Sequence, residues 1–245
     1  TADSGSACTL RNAIQNAVNN NQANGGCTAG SGADTITFDP TVFATPQTIT
    51  VGSTLPQLTD SSTTTIDGGN KVTINGQGSV QIFWIGNLGT GAGSAVLRNL
   101  VIANGNANGT GSNGVYGCGV FMTGTSLELD HVTFSANTAA LGGGGLFTQN
   151  SNGTTTVDGC LFTGNSGTSS AGGGIENSAS NLIIRNSTFT GNSASSGGAA
   201  IFTAYGGTMS VINSTFNGNS TGYYGSAIRN FSGTDQFKDH WEAGL

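Results

Sequence analysis

Four segments of the chain, Leu127–Thr154, Thr155–Asn181, Leu182–Thr208 and Met209–Thr234, repeat one pattern: a short β-rich run, then Phe-x-x-Asn, then a glycine cluster. The anchors Phe134/Asn137, Phe162/Asn165, Phe189/Asn192 and Phe216/Asn219 step by 28, 27 and 27 residues. A unit this small buries no core alone, so the copies must stack and each must lean on its neighbours.

The content of a copy selects the kind of stack. Apolar residues alternate in short runs, as in Leu127 and Leu129 or Leu182 and Ile184, and none recurs at helical spacing. Helical repeats are thereby excluded. The glycines at Gly142–Gly145, Gly172–Gly174 and Gly197–Gly198 precede a second apolar run and permit a bend between two strands. The expected fold is all-β, a parallel β-helix of roughly seven coils, about 35 Å long at the interstrand spacing. In it Phe134, Phe162, Phe189 and Phe216 form a core column. Asn137, Asn165, Asn192 and Asn219 form a turn column bonded amide to amide along the axis, a structural rather than a chemical ladder.

Composition agrees and narrows the function. Glycine makes up 42 of 245 residues, and charged residues only 7%, against roughly 25% in an ordinary domain. Six Lys plus Arg and a net charge of −6 leave no basic patch, which argues against a nucleic-acid partner or an anionic membrane surface. No apolar run reaches membrane-spanning length, so no membrane insertion is expected. No signal peptide is evident, and Thr1 reads as a mature or trimmed start.

Organisation changes along the chain. Residues 1–33 form an N-terminal cap: Thr9 to Asn20 places Leu10, Ile14 and Ala17 at helical spacing, with Thr9 as N-cap. A disulfide between Cys8 and Cys27 would pin that helix over the first coil, contribute roughly 3 kcal/mol in the chain-entropy model and point to an oxidising compartment. Cys118 and Cys160 fall in different columns and are expected as buried thiols. Residues 34–234 form the β-helix, less regular at first, with β-like runs around Ile36, Ile49, Ile66, Ile74 and Ile85. A Gly-Asn-Ser-rich loop at Asn104 to Gly114 is an insertion relative to later copies. Residues 235–245, with Trp241 and His240, follow no earlier pattern and read as a C-terminal cap or tail.

Two stretches carry a resemblance. Asp3-Ser4-Gly5-Ser6-Ala7-Cys8-Thr9-Leu10-Arg11-Asn12-Ala13-Ile14, followed by Ala33-Asp34-Thr35-Ile36-Thr37-Phe38, resembles the opening of the CSLREA-domain family of secreted bacterial β-helix proteins, with Thr9 for the family's Ser and Asn12 for its Glu. The downstream repeats are similar to those of pectin-lyase-like β-helices and of chlamydial polymorphic outer-membrane proteins, in their Gly-Gly-x-aliphatic and Phe-x-x-Asn motifs. The resemblance implies a right-handed parallel β-helix, secreted or at the cell surface, often a passenger or adhesive region rather than an enzyme.

Chemistry is sparse. Counting back four residues from each Phe, and from Ile102, yields one column, Arg98, Asp130, Asp158 and Arg185, with Glu128 and His131 close by. Two carboxylates on adjacent rungs, about 4.8 Å apart, approach the separation of about 5 to 5.5 Å in retaining glycosidases. Were the chain a polysaccharide lyase or glycoside hydrolase, Asp130, Asp158, Glu128 and His131 would carry the reaction. An Arg on each side makes the column a charge-balanced ladder, which favours a structural role. Asp34, Asp39, Asp60 and Asp67 stand isolated without calcium-loop spacing. His131 and His240 are the only histidines, so no metal or cofactor is expected. A third reading is ice binding through two outward rows, Thr133, Leu161, Thr188, Thr215 and Ser135, Thr163, Thr190, Asn217, although β-propensity also places Thr there. The preferred expectation is a secreted, non-catalytic structural or adhesive module. Its partners would be further copies of itself, as a filament or sheath, or a cell-surface or polysaccharide ligand.

Overall fold

The computed structural model describes residues 8–20, 25–107, 116–150, 152–169, 171–225 and 227–231, together with the backbone alone of 234–238 and 242–244. The residues before Cys8, most of the insertion at Asn104 to Gly114, and His240 and Trp241 lie outside the described residues. The chain is a parallel β-solenoid of about seven turns with one short helix at its start.

Three parallel sheets make the walls. The long sheet carries strands such as Ser126–Asp130, Thr154–Asp158, Asn181–Arg185 and Thr208–Ile212, each followed by a three-residue strand such as Thr133–Ser135 or Leu161–Thr163. A narrow sheet of two-residue strands runs from Asn106–Ala107 to Ser220–Thr221, and a third, hereafter the covered sheet, runs from Phe83–Ile85 to Ile228–Phe231. In the early coils the long-sheet strands are continuous over Thr63–Asn75 and Ser94–Ala103. In every one of these coils the same place holds a left-handed residue, Gly69 and Asn70, Asn99, His131, Gly159, Asn186 or Asn213, and in the later coils the strand divides there. A single such residue turns the chain without losing the pairing on either side.

The two expected ladders form. Phe134, Phe162, Phe189 and Phe216 are fully buried, with ring centroids 4.5, 4.7 and 5.0 Å apart and planes within 6° of parallel. Each interior amide then closes four contacts, one of them from the backbone N–H of the preceding asparagine, as Asn137 N–H donates to Asn165 Oδ1 at 3.0 Å. Asn165 Nδ2 donates to Asn192 Oδ1 and to the Phe134 carbonyl, both at 3.0 Å, while Asn165 Oδ1 accepts from Asn137 Nδ2 at 3.0 Å. Three of the four asparagines, Asn137, Asn165 and Asn192, are completely buried, which is tolerable because their polar groups are matched.

The cap is also as expected. The helix spans Leu10–Asn19, Thr9 Oγ1 accepts from the Asn12 N–H at 3.2 Å, and Leu10 and Ile14 join the core of the first coil. Cys8 and Cys27 are disulfide-bonded, with Cα atoms 4.6 Å apart. Arg11 adds a clamp, donating to the Thr54 and Ser53 carbonyls at 2.9 and 2.8 Å. Buried Asn16 holds the Thr28 carbonyl at 2.9 Å, an anchor that no periodicity announces. Cys118 and Cys160 are buried in different columns; the Cys118 thiol donates to the Thr138 carbonyl, and burial pushes the Cys160 thiol up to about 12. At the other end the backbone departs from the expected break. Thr234–Lys238 pairs in parallel with Thr208–Ile212, and Glu242–Gly244 with Thr215–Asn217, so the tail adds a rung. Strand pairing needs only an extended backbone, not the repeat's side chains.

Candidate functional site

The outward face of the long sheet gathers most of the charge. Register places Arg98 beside Asp130, Asp130 beside Asp158 and Asp158 beside Arg185, as counting back from the phenylalanines requires. Asp67, set apart as isolated by the sequence, heads the same column beside Arg98. That addition changes the pairing. Arg98 Nε turns away from Asp130 and donates to Asp67 Oδ2 at 2.9 Å. The carboxylate pair is therefore not bracketed by two engaged arginines.

Each acid has its own partner. Asp67 also accepts from the Gly69 N–H at 3.0 Å and from Asn99 Nδ2 at 3.1 Å. Burial tends to raise its pKa, but these hydrogen bonds and Arg98 outweigh that and hold the carboxyl below its ordinary value. Asp130 meets His131 Nδ1 at 2.5 Å, with the imidazole lying over Gly159 of the next rung, where any side chain would collide with it. Asp158 pairs with Arg185 at 3.2 Å and accepts from Asn186 Nδ2 at 2.8 Å. Glu128 is exposed in the adjoining column between Val96 and Thr156. The four residues named for an enzyme are thus neighbours, but on an open face. The Asp130 and Asp158 side chains retain 37% and 33% exposure.

A hollow of about 260 Å³ lies at the head of the column, lined by Phe38, Pro40, Phe43, Asp67 and Lys71. Phe38 and Phe43 meet edge to face at 5.0 Å, and Lys71 Nζ donates to the Ala44 carbonyl at 2.9 Å. This combination of ring faces, a carboxylate and an ammonium group was not legible in the sequence, since the contributing segments lie about one coil apart. Among the described residues no three His, Cys, Asp or Glu side chains converge as metal ligands, and no described helix is long and apolar enough to cross a membrane.

The hydroxyl rows are also in register. Thr133, Leu161, Thr188 and Thr215 align, as do Ser135, Thr163, Thr190 and Asn217, but Val101 and Ala103 continue them with apolar groups. The covered sheet holds a residue that was overlooked: Glu176 stands between Phe147 and Phe202, and is 6% exposed. A carboxylate at an aromatic position of a repeat was the signal available. No protein family, curated protein or solved structure matches this chain in comparisons with known proteins.

Proposed function

We propose that this chain is a secreted or cell-surface β-helix module without catalysis, structural and adhesive in role, which meets a polysaccharide or a further copy of itself through its long-sheet face. The observation that carries the reading is the state of the ladder: Asp67, Asp130 and Asp158 are each engaged by a cation, an imidazole or an amide on an open face. A hydrolase encloses its general acid against an apolar wall beside the scissile bond, and these acids stand on an open face with no such enclosure. Rows of hydroxyls and amides with an aromatic hollow at one end suit a polyhydroxylated chain lying along the face. The Cys8–Cys27 bridge fits an oxidising compartment, and the resemblance of the opening and the repeats to CSLREA-domain and pectin-lyase-like β-helix proteins favours the same setting.

The test pairs binding with turnover. Retention on immobilised polysaccharides is measured beside release of reducing or unsaturated ends, for the wild type and for Asp130→Asn and Asp158→Asn. Binding without release supports the module; release that disappears in either variant replaces it with a lyase or hydrolase. Electron microscopy of the same preparation separates a filament subunit, which gives ordered polymers, from a monodisperse adhesive unit.

A further inference from the structure

One rung of the covered sheet breaks an aromatic series. The outward column runs Trp84, Phe121, Phe147, Glu176, Phe202, Arg229. Four residues before each of the last five, a glycine in the left-handed region turns the chain back over the column; Gly143 (φ 62°) and Gly172 (φ 71°) are examples. A Cβ on Gly143 would lie 2.6 Å from that of Phe147, and one on Gly172 2.7 Å from that of Glu176. The turns therefore form a lid on the sheet.

Beneath that lid the Glu176 carboxyl occupies the space that a side chain at Gly142 would take, and its Oε2 is buried with no hydrogen-bond partner among the described residues. The covering turns contribute Gly142, Ala171 and Gly172, none of which titrates. Along the column the titratable or charged groups among the described residues include Tyr116, stacked 4.7 Å from Phe147, and Arg229, whose guanidinium lies 5.6 Å over Phe202 and 4.9 Å over Tyr224 and donates to the Ser196 carbonyl at 2.8 Å. Neither is bonded to Oε2. An ion here has no counter-charge, whereas a neutral carboxyl is only an imperfectly matched polar group.

We propose that Glu176 is a proton-dependent latch: its neutral form seats the Gly142–Gly145 turn on the covered sheet, and loss of the proton releases that turn while the coils beneath stay paired. Release requires breaking the backbone bonds that tie the turn to the coils on either side, most of which are long, among them the Gly117 N–H to the Gly142 carbonyl at 3.4 Å, the Gly119 N–H to the Gly144 carbonyl at 3.2 Å, the Gly144 N–H to the Gly172 carbonyl at 3.3 Å and the Gly145 N–H to the Gly173 carbonyl at 3.2 Å, so the turn opens before the strands do. The phenylalanine and asparagine columns are not involved. Burial raises the Glu176 pKa from 4.5 to about 8. The seated state then holds a proton that the opened state gives up between those values, so the latch is fully set below about 4.5 and weakens as pH rises through about 8.

Hydrogen exchange, corrected for intrinsic rates, tests this from pH 5 to 9 on peptides covering Gly142–Leu146 and Gly172–Ile175, with Phe162–Asn165 as reference. The opening constant of the two turns is expected to rise by up to about tenfold per pH unit to about pH 8 and then level, with no such slope in the reference. Glu176→Gln and Glu176→Leu should both flatten it, and Leu, which leaves no polar atom under the lid, carries the test if Gln does not fold. Wild-type turns without the slope, an equal slope in the reference, or a slope retained in a folded variant would each overturn the latch.

Discussion

Two columns on one solenoid treat carboxylates in opposite ways. On the long sheet Asp67, Asp130 and Asp158 stand on an open face beside Arg98, His131 and Arg185. On the covered sheet Glu176 is 6% exposed between two rings under glycine turns and has one buried, unmatched oxygen. Both columns have the same interstrand spacing and the same parallel register; only what lies over them differs. A β-helix thus repeats its geometry faithfully, but the chemistry of a rung is decided by the turn that covers it.

Substitutions that strike the two columns equally would break this contrast. The largest effect should come from Phe147→Ala, which empties a position 3% exposed and is expected to cost about 3–5 kcal/mol in a denaturant titration. Gly142→Ala should follow, at about 1–3 kcal/mol, because the position has φ 99° and its new methyl meets the Glu176 carboxyl. In a Glu176→Ala background the steric part of that cost should vanish; an unchanged cost would show that the two residues are uncoupled.

On the open face effects shrink. Asp67→Asn is expected to lose roughly 1 kcal/mol at neutral pH. Its acid dependence runs opposite to that of Glu176. The folded-state pKa of Asp67 lies below the ordinary 3.8, so its contribution is present above that value and is lost as pH falls through the lower one. Thermal melts of both variants across pH 2 to 9 would check the two windows: Asp67→Asn should blunt the acid limb and Glu176→Gln the loss between 4.5 and about 8. Smallest of all, Asp158→Asn should change stability by less than about 1 kcal/mol and by nothing measurable in high salt. A larger loss at Asp158 would mean that the ladder is more shielded than its exposure implies.

Much of this molecule was legible beforehand, for a reason visible in particular residues. Phe162 and Asn165 recur at an almost constant period, so the identity of one column predicts the next, and counting back four residues placed Asp130 beside Asp158. The same count reaches Arg98 from Ile102 and fails on the rung before it. From Ile74 it lands on Asn70, because Gly68 to Lys71 form a longer connection where the register shifts between Asp67 and Val72. Asp67 was missed on that account, and with it the true partner of Arg98. Glu176 posed another difficulty: its place in the column could be read, but burial could not.

The amino-acid sequence by itself determined the stack, its core and its cap, because the period, the alternation of apolar residues and the residue types at the turns act locally and repeat. The tertiary structure alone decided which carboxylate each arginine holds and which rungs of an outward column are covered. Those outcomes depend on distances between coils and on how glycine turns fold back, and neither is encoded in any single repeat.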